Sequence, residues 1–174
     1  QVVAFESNLN PFNMLLAWLA SYFMTHKFMN RTYKKCDQIG INYYFYKKFG
    51  ETKTYRKTDM GFDMCPDKIY IALHSLACYN KPLFVSEAGV ADADDDIRVE
   101  YITEQVKGVG RAINDGVDVR GHMYWSLLDN YELAYGYTKR FGLVEVDFET
   151  QKRTIRPSAY VYKDIIEKNS VLEY

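Results

Sequence analysis

Residues 82–89 read PLFVSEAG. Pro82 opens a run of three apolar side chains, the run reaches Ser86 and Glu87, and Ala88 and Gly89 make a small-residue turn. A short apolar run bounded by turn residues is the pattern of a strand covered on both faces, as strands are in a parallel sheet. The stretch poses a question: why does a carboxylate stand at the exit of a buried strand?

Working outward, two further segments read as strands. QIGINYYFY at 38–46 is rich in β-branched and aromatic residues, and VRGHMYWSL at 119–127 has the same character. Helical periodicity covers 13–29, with Leu15, Leu16, Leu19, Phe23 and Phe28 as its apolar positions. Pro66 and Asp67 open a helix to about Tyr79, because proline suits the first turn and an acid suits the positive end of the dipole. A long helix is expected over 97–113 and a last one over 157–168, with a small hairpin in GLVEVDFETQKR between them. The loops 47–64 and 128–142 are long, and the second is rich in aromatics.

Strands alternating with helices imply parallel pairing through crossovers. The interval from Tyr43 to Glu87 is 44 residues and that from Glu87 to Trp125 is 38. A (β/α)8 barrel uses about 31 per unit when about 250 residues make eight units, so the surplus falls in loops on the C-terminal, catalytic side of the strands. A doubly wound open sheet gives the same alternation, and the two stay open at this point. The expected organisation is a single domain over 1–174.

Composition narrows the partners. The net charge is −1 with both signs spread along the chain, so no basic field exists to hold nucleic acid or an anionic membrane. The longest apolar stretch, MLLAWLASYFM at 14–24, is too short to span a bilayer and reads as a core helix. Cys36, Cys65 and Cys78 form no CxxC pair, which points to a reducing, cytoplasmic compartment rather than a disulfide framework or zinc site. The sequon at Asn30, Arg31 and Thr32 is a chance match on this reading. The acids Asp92, Asp94, Asp95 and Asp96 lack the calcium-loop pattern and are expected to be a solvated loop whose last members cap the next helix. Gly108 and Gly110 lack the third glycine of a phosphate loop and fall inside a helix.

The three strand exits carry Asn42 and Tyr43, then Glu87, then Trp125 with Asp129, Asn130 and Glu132 beyond. Parallel neighbours would bring these to one rim, where aromatic faces and carboxylates suit a sugar. On spacing alone the aromatics are equally read as core and the acids as loop charges.

The strings themselves go further. GINYYFY, PLFVSEAG, RGHMYWSLLDNYEL, GYTKRFGLVEVD and RPSAYVYKDII, in this order, resemble the C-terminal motifs of glycoside hydrolase family 1, the β-glucosidase and β-galactosidase family, over about 35–169. The resemblance implies a (β/α)8 TIM barrel, of which this chain is the C-terminal part with the sixth to eighth strands. It implies retaining hydrolysis of β-glycosides without a cofactor. Glu87 matches the nucleophile, Tyr43 the tyrosine that orients it, and Asn42 a neighbouring pocket residue. Trp125 matches the indole platform under the sugar, Glu132 the carboxylate that binds distal hydroxyls, and Phe141 an aromatic near the primary alcohol.

The sequence departs from the family at Ala88, where an Asn is usual, at Leu133, where a Trp supplies an N–H donor, and at His122, where another aromatic is usual. His122 is read as a core residue. The family's acid/base glutamate, in an N-E-P motif, has no match here: Asn10 and Pro11 lack the Glu, Glu6 precedes any expected strand, and Glu132 has a sugar-binding role. The partner carboxyl, about 5 to 5.5 Å from the nucleophile in a retaining enzyme, is therefore expected from an N-terminal barrel segment, with that segment or self-association covering the open sheet edges. The rival expectation is a catalytically silent carbohydrate-binding or scaffold half-barrel.

Overall fold

A computed structural model describes residues 2–171. Its main sheet has four parallel strands in the order β1 (Val2–Ser7), β2 (Ile39–Phe49), β3 (Leu83–Ala88), β4 (Val119–Tyr124). Between them run α1 (Pro11–Ser21), which continues through a π-helical turn at Tyr22–His26 into α2 (Lys27–Thr32), then α3 (Ile69–Ala77) and α4 (Arg98–Asn114). An antiparallel pair, β5 (Val144–Val146) and β6 (Arg153–Ile155), precedes α5 (Pro157–Lys168).

The sheet thus has one strand more than expected. VVAFES at 2–7 pairs along β2 from Val2↔Tyr43 to Ser7↔Phe49. The run VVAF is followed by the turn residues Ser7, Asn8, Asn10 and Pro11, and pairing with β2 completes it as a strand. Glu6 consequently lies on a strand, contrary to the expectation above. It shares the face of Val2 and Ala4, which are buried with Tyr46 on the helix side, and it accepts a hydrogen bond from the Tyr46 hydroxyl. The third expected strand also ends earlier, at Tyr124, where a cis peptide joins Trp125 to Ser126.

Period two in the strands sorts the side chains. Ile39, Ile41, Leu83 and Val85 turn outward onto Ile69, Leu73 and Leu76 of α3 and Val109 and Ala112 of α4, and all of these are buried. Burial of each large aliphatic side chain is worth about 1.5 to 3 kcal/mol. The opposite face carries small and polar groups, including Gly40, Asn42 and Ser86, and the Phe84 ring lies over Gly121, where an added Cβ would come within 2.1 Å of it.

The acidic loop is solvated only in part: Asp94 and Asp96 are exposed as expected, while Asp92 and Asp95 turn inward. Asp92 is buried and accepts from the backbone N–H groups of Ile97 and Arg98, each at 3.0 Å, so the first acid of the cluster rather than the last caps α4. Asp95 pairs with Arg98 and accepts from Ser158 at the start of α5. The reason is Arg98, whose guanidinium has no solvent exposure: a buried cation needs an anion and full hydrogen bonding, and the loop folds inward to supply both.

Candidate active site

Glu87 sits at the exit of β3, and the neighbouring strand brings its partners. A register shift between Ile41 and Asn42 sets Asn42 beside Glu87. Asn42 accepts a hydrogen bond from the Ser86 hydroxyl at 2.8 Å. The hydroxyl that reaches Glu87 belongs to Tyr44, donating to Oε2 at 3.1 Å.

This corrects the assignment of Tyr43. Tyr43 is 2% exposed, and its hydroxyl donates to the Cys65 carbonyl at 2.7 Å. Adjacent residues in a strand face opposite sides. Tyr43 follows Ile41 into the helix-side core, while Tyr44 follows Asn42 onto the face of the carboxylate. The NYY string contains both tyrosines, and the period-two argument, applied from the core residue Ile41, was the signal that separates them.

The Tyr44 phenol is raised well above its ordinary pKa, first by burial and then by the Glu87 carboxylate, with a further contribution from Glu132. It therefore stays protonated as a hydrogen-bond donor. Its ring meets Phe141 edge to face, with centroids 6.3 Å apart, and Phe141 is itself buried. A cavity of about 10 Å3, room for one water, lies behind these rings and is lined by Tyr43, Tyr44, Thr58, Tyr101 and Phe141.

The second half of the site hangs from β4. The Trp125 amide donates to the Ala88 carbonyl at 3.0 Å, tying the two strand exits together. Gly89 is required for this approach, since a Cβ there would stand 1.8 Å from the Trp125 carbonyl oxygen. The Trp125 indole N–H donates to Glu132 Oε1 at 3.2 Å, so platform and carboxylate are one unit. Leu133, next along, is 94% exposed.

Asp129, one of the rim acids, is buried and fully engaged by protein partners. Arg156 donates to its two oxygens at 3.1 and 3.2 Å, and Gly142 and Val146 donate backbone N–H groups to it. The pair pins the loop 126–142 against the start of α5. Asn130 donates to Ser126 Oγ at 3.0 Å within the same loop. His122 Nε2 lies 3.0 Å from Gln105 Oε1 and Nδ1 lies 3.0 Å from the Tyr162 hydroxyl, on the helix side of β4. Gln105 donates its amide to Tyr101, and the Tyr162 hydroxyl donates to the His122 carbonyl oxygen at 2.9 Å. Burial lowers the His122 pKa to about 4.

A larger groove of about 890 Å3 lies elsewhere, between α4, the start of β4 and α5; His122 and Tyr162 line it, and Glu87, Asn42, Tyr44, Trp125, Glu132 and Phe141 do not. Among the described residues no group of three or more His, Cys, Asp or Glu side chains is placed to hold a metal ion. No helix among them is long and apolar enough to cross a membrane.

The family model described as "Glycosyl hydrolase family 1" matches residues 12–171. A β-galactosidase of Sulfolobus acidocaldarius is 43% identical over 117 residues, covering 67% of this chain and 24% of the relative. A 1,4-β-D-glucan glucohydrolase of Thermotoga neapolitana is 35% identical over 167 residues, covering 83% of this chain and 38% of the relative. The crystal structure of a hyperthermophilic β-glucosidase from Pyrococcus furiosus superposes with a TM-score of 0.90 at 31% identity, over 98% of this chain and 41% of that one. The chain thus spans roughly a quarter to two-fifths of the relatives it matches.

Proposed function

Because the chain belongs to glycosyl hydrolase family 1, we propose that it forms the nucleophile-bearing part of a retaining β-glycosidase, its four parallel strands being the last four of a (β/α)8 barrel. The observation that carries this reading is the Glu87 carboxylate at the exit of a buried parallel strand, held by the Tyr44 hydroxyl and flanked by Asn42.

In this reading Glu87 attacks the anomeric carbon as the leaving group departs, giving a glycosyl-enzyme ester that water then hydrolyses. Tyr44 fixes the carboxylate by donating to one oxygen, which leaves the other for the sugar. The Trp125 indole offers a flat apolar face to the ring. Glu132 is held by the indole N–H and receives hydroxyl hydrogen bonds. Phe141 walls the pocket behind Tyr44. Asn42 faces the same space.

The acid/base carboxyl comes from a segment outside this sequence. Glu6 points to the helix side of β1 with Tyr46, Glu132 is bound to Trp125, and no N-E-P string occurs. The exposed edges of β1 and β4 are where that segment adds its strands. The free cysteines support a reducing, cytoplasmic compartment. The test is complementation. The purified chain should hydrolyse an aryl β-glucoside little or not at all, and pairing with an N-terminal barrel half bearing the acid glutamate should restore turnover. Glu87→Gln in the paired form should lower kcat by about 10^4-fold or more. Strong turnover by the chain alone, or a paired Glu87→Gln protein of undiminished activity, contradicts the reading.

A further inference from the structure

The strand that carries Glu87 is not regular. Val85 and Ala88 of β3 are both fully buried in the core that packs against α3 and α4. In an uninterrupted strand, residues three apart face opposite sides. Ser86 and Glu87 therefore stand together between them on the inner face. Both neighbouring strands register the extra residue. Along β2, Ile41 pairs with Val85 and Asn42 with Glu87; along β4, His122 pairs with Val85 and Tyr124 with Ala88. Ser86 is opposite no residue in either register. A bulge of this kind re-aims a side chain, and bulges are rare between parallel strands and gather beside active sites. In regular alternation Glu87 would point with the helix-side core, where an unpaired carboxylate is costly.

A bulged residue has lost its place in the ladder, and Ser86 makes a side-chain bond to the next strand instead. Its hydroxyl donates to Asn42 Oδ1 at 2.8 Å. Gly40, two residues before Asn42 on the same face, leaves the room for it, since a Cβ there would stand 3.0 Å from Ser86 Oγ. Tyr44, next along that face, donates to Glu87. On its other side β2 is irregular as well: Val2 pairs with Tyr43 and Val3 with Phe45, so Tyr44 is the extra residue there. Donor and acceptor of the Tyr44 to Glu87 bond both stand at bulges.

We propose that Ser86 is a positioning residue for the nucleophile, its hydrogen bond to Asn42 holding β3 in the bulged register that turns Glu87 into the site. The inference rests on the reading of Glu87 as nucleophile. Ser86 acts through the strand and through Asn42, not on the sugar.

Ser86→Thr and Ser86→Val have the same shape and differ in the hydroxyl. In the chain paired with an N-terminal barrel half, Ser86→Thr should keep kcat within about 3-fold of the natural sequence, whereas Ser86→Val should lower it at least about 10-fold with KM little changed, because a displaced nucleophile loses rate while the sugar contacts remain. A second readout is independent of catalysis. In the 174-residue chain alone, the backbone contact between Asn42 and Glu87, read by nuclear Overhauser effects, should persist in Ser86→Thr and weaken in Ser86→Val. Equal kcat for the two variants overturns the proposal, whether both are active or both impaired, as does a Ser86→Val chain with the Asn42 to Glu87 contact intact. Glu87→Gln, measured alongside, separates the two readings: equal Ser86 variants with an inactive Glu87→Gln protein remove the role of Ser86 alone, and an active Glu87→Gln protein removes both.

Discussion

The two halves of the site are built differently. Glu87, Asn42 and Tyr44 stand on adjacent strands of a sheet whose outer face is fully packed, so their positions follow from strand register. Trp125, Glu132 and Phe141 belong to a segment with almost no regular structure. Its shape depends on Asp129 being buried between Arg156 and the backbone of Gly142 and Val146. On the proposed reading the chemistry sits on the rigid scaffold, while recognition sits on a loop held by the buried Asp129 between two arginines, Arg156 and Arg140. A loop can vary its ligand contacts without moving the nucleophile, and Leu133 is such a variation.

If that division holds, the largest effect on stability comes from breaking the pin. Arg156→Ala removes both charge-assisted hydrogen bonds of this arginine to the buried Asp129, leaving Arg140 at 3.5 Å as its remaining cation, and should cost about 3 kcal/mol, read by urea denaturation. Loss of sugar binding should accompany it, with the Glu87 to Tyr44 hydrogen bond intact in the folded fraction. An Arg156→Ala chain of unchanged stability would erase the distinction between the halves.

His122, under the second half, supplies the pH dependence. Its folded pKa is lowered to about 4 by burial, against 6.5 for the ordinary group. Between those values the unfolded chain binds the proton and the folded chain does not, so this contribution to stability falls as pH drops from about 6.5 to about 4 and is level above 6.5. The span amounts to roughly 3 kcal/mol. Melting temperatures across this range should fall for the natural sequence and flatten for His122→Gln.

The smallest effect sharpens the first half. Tyr44→Phe removes a hydrogen bond to a charged group, worth about 1.5 to 3 kcal/mol, and should lower kcat of the completed barrel by roughly 10- to 100-fold with little change in stability. Tyr43→Phe should do the reverse, because it leaves the buried Cys65 carbonyl without its donor and touches nothing in the pocket. Equal kinetic effects from the two would contradict the face assignment.

These pairs show what the sequence could and could not convey. PLFVSEAG declared a buried strand with an acid at its exit because that pattern is local, whereas alternation and spacing left a barrel and a doubly wound sheet both open, and only the family resemblance of the ordered motifs implied the barrel. Choosing between Tyr43 and Tyr44 needs the strand's facing, which a register shift of one residue changes. Strand β1 had its signal in VVAF followed by Asn8, Asn10 and Pro11, but so short an apolar run is told from a loop only by its pairing with β2. Asp92, Asp95 and Asp129 read as surface charge because the cations that turn them inward, Arg98 and Arg156, are brought to them by the fold; Arg156 lies 27 residues from Asp129 in the chain.

On the proposed reading, Glu87 is the residue that bonds to the sugar. The direct measurement is mass spectrometry of the completed barrel after treatment with an activated 2-deoxy-2-fluoro β-glycoside, whose fluorine slows hydrolysis of the glycosyl-enzyme. The account predicts one label per chain, carried on the peptide containing Glu87 and absent in Glu87→Gln. A label on any other carboxylate, or one that persists in Glu87→Gln, contradicts it.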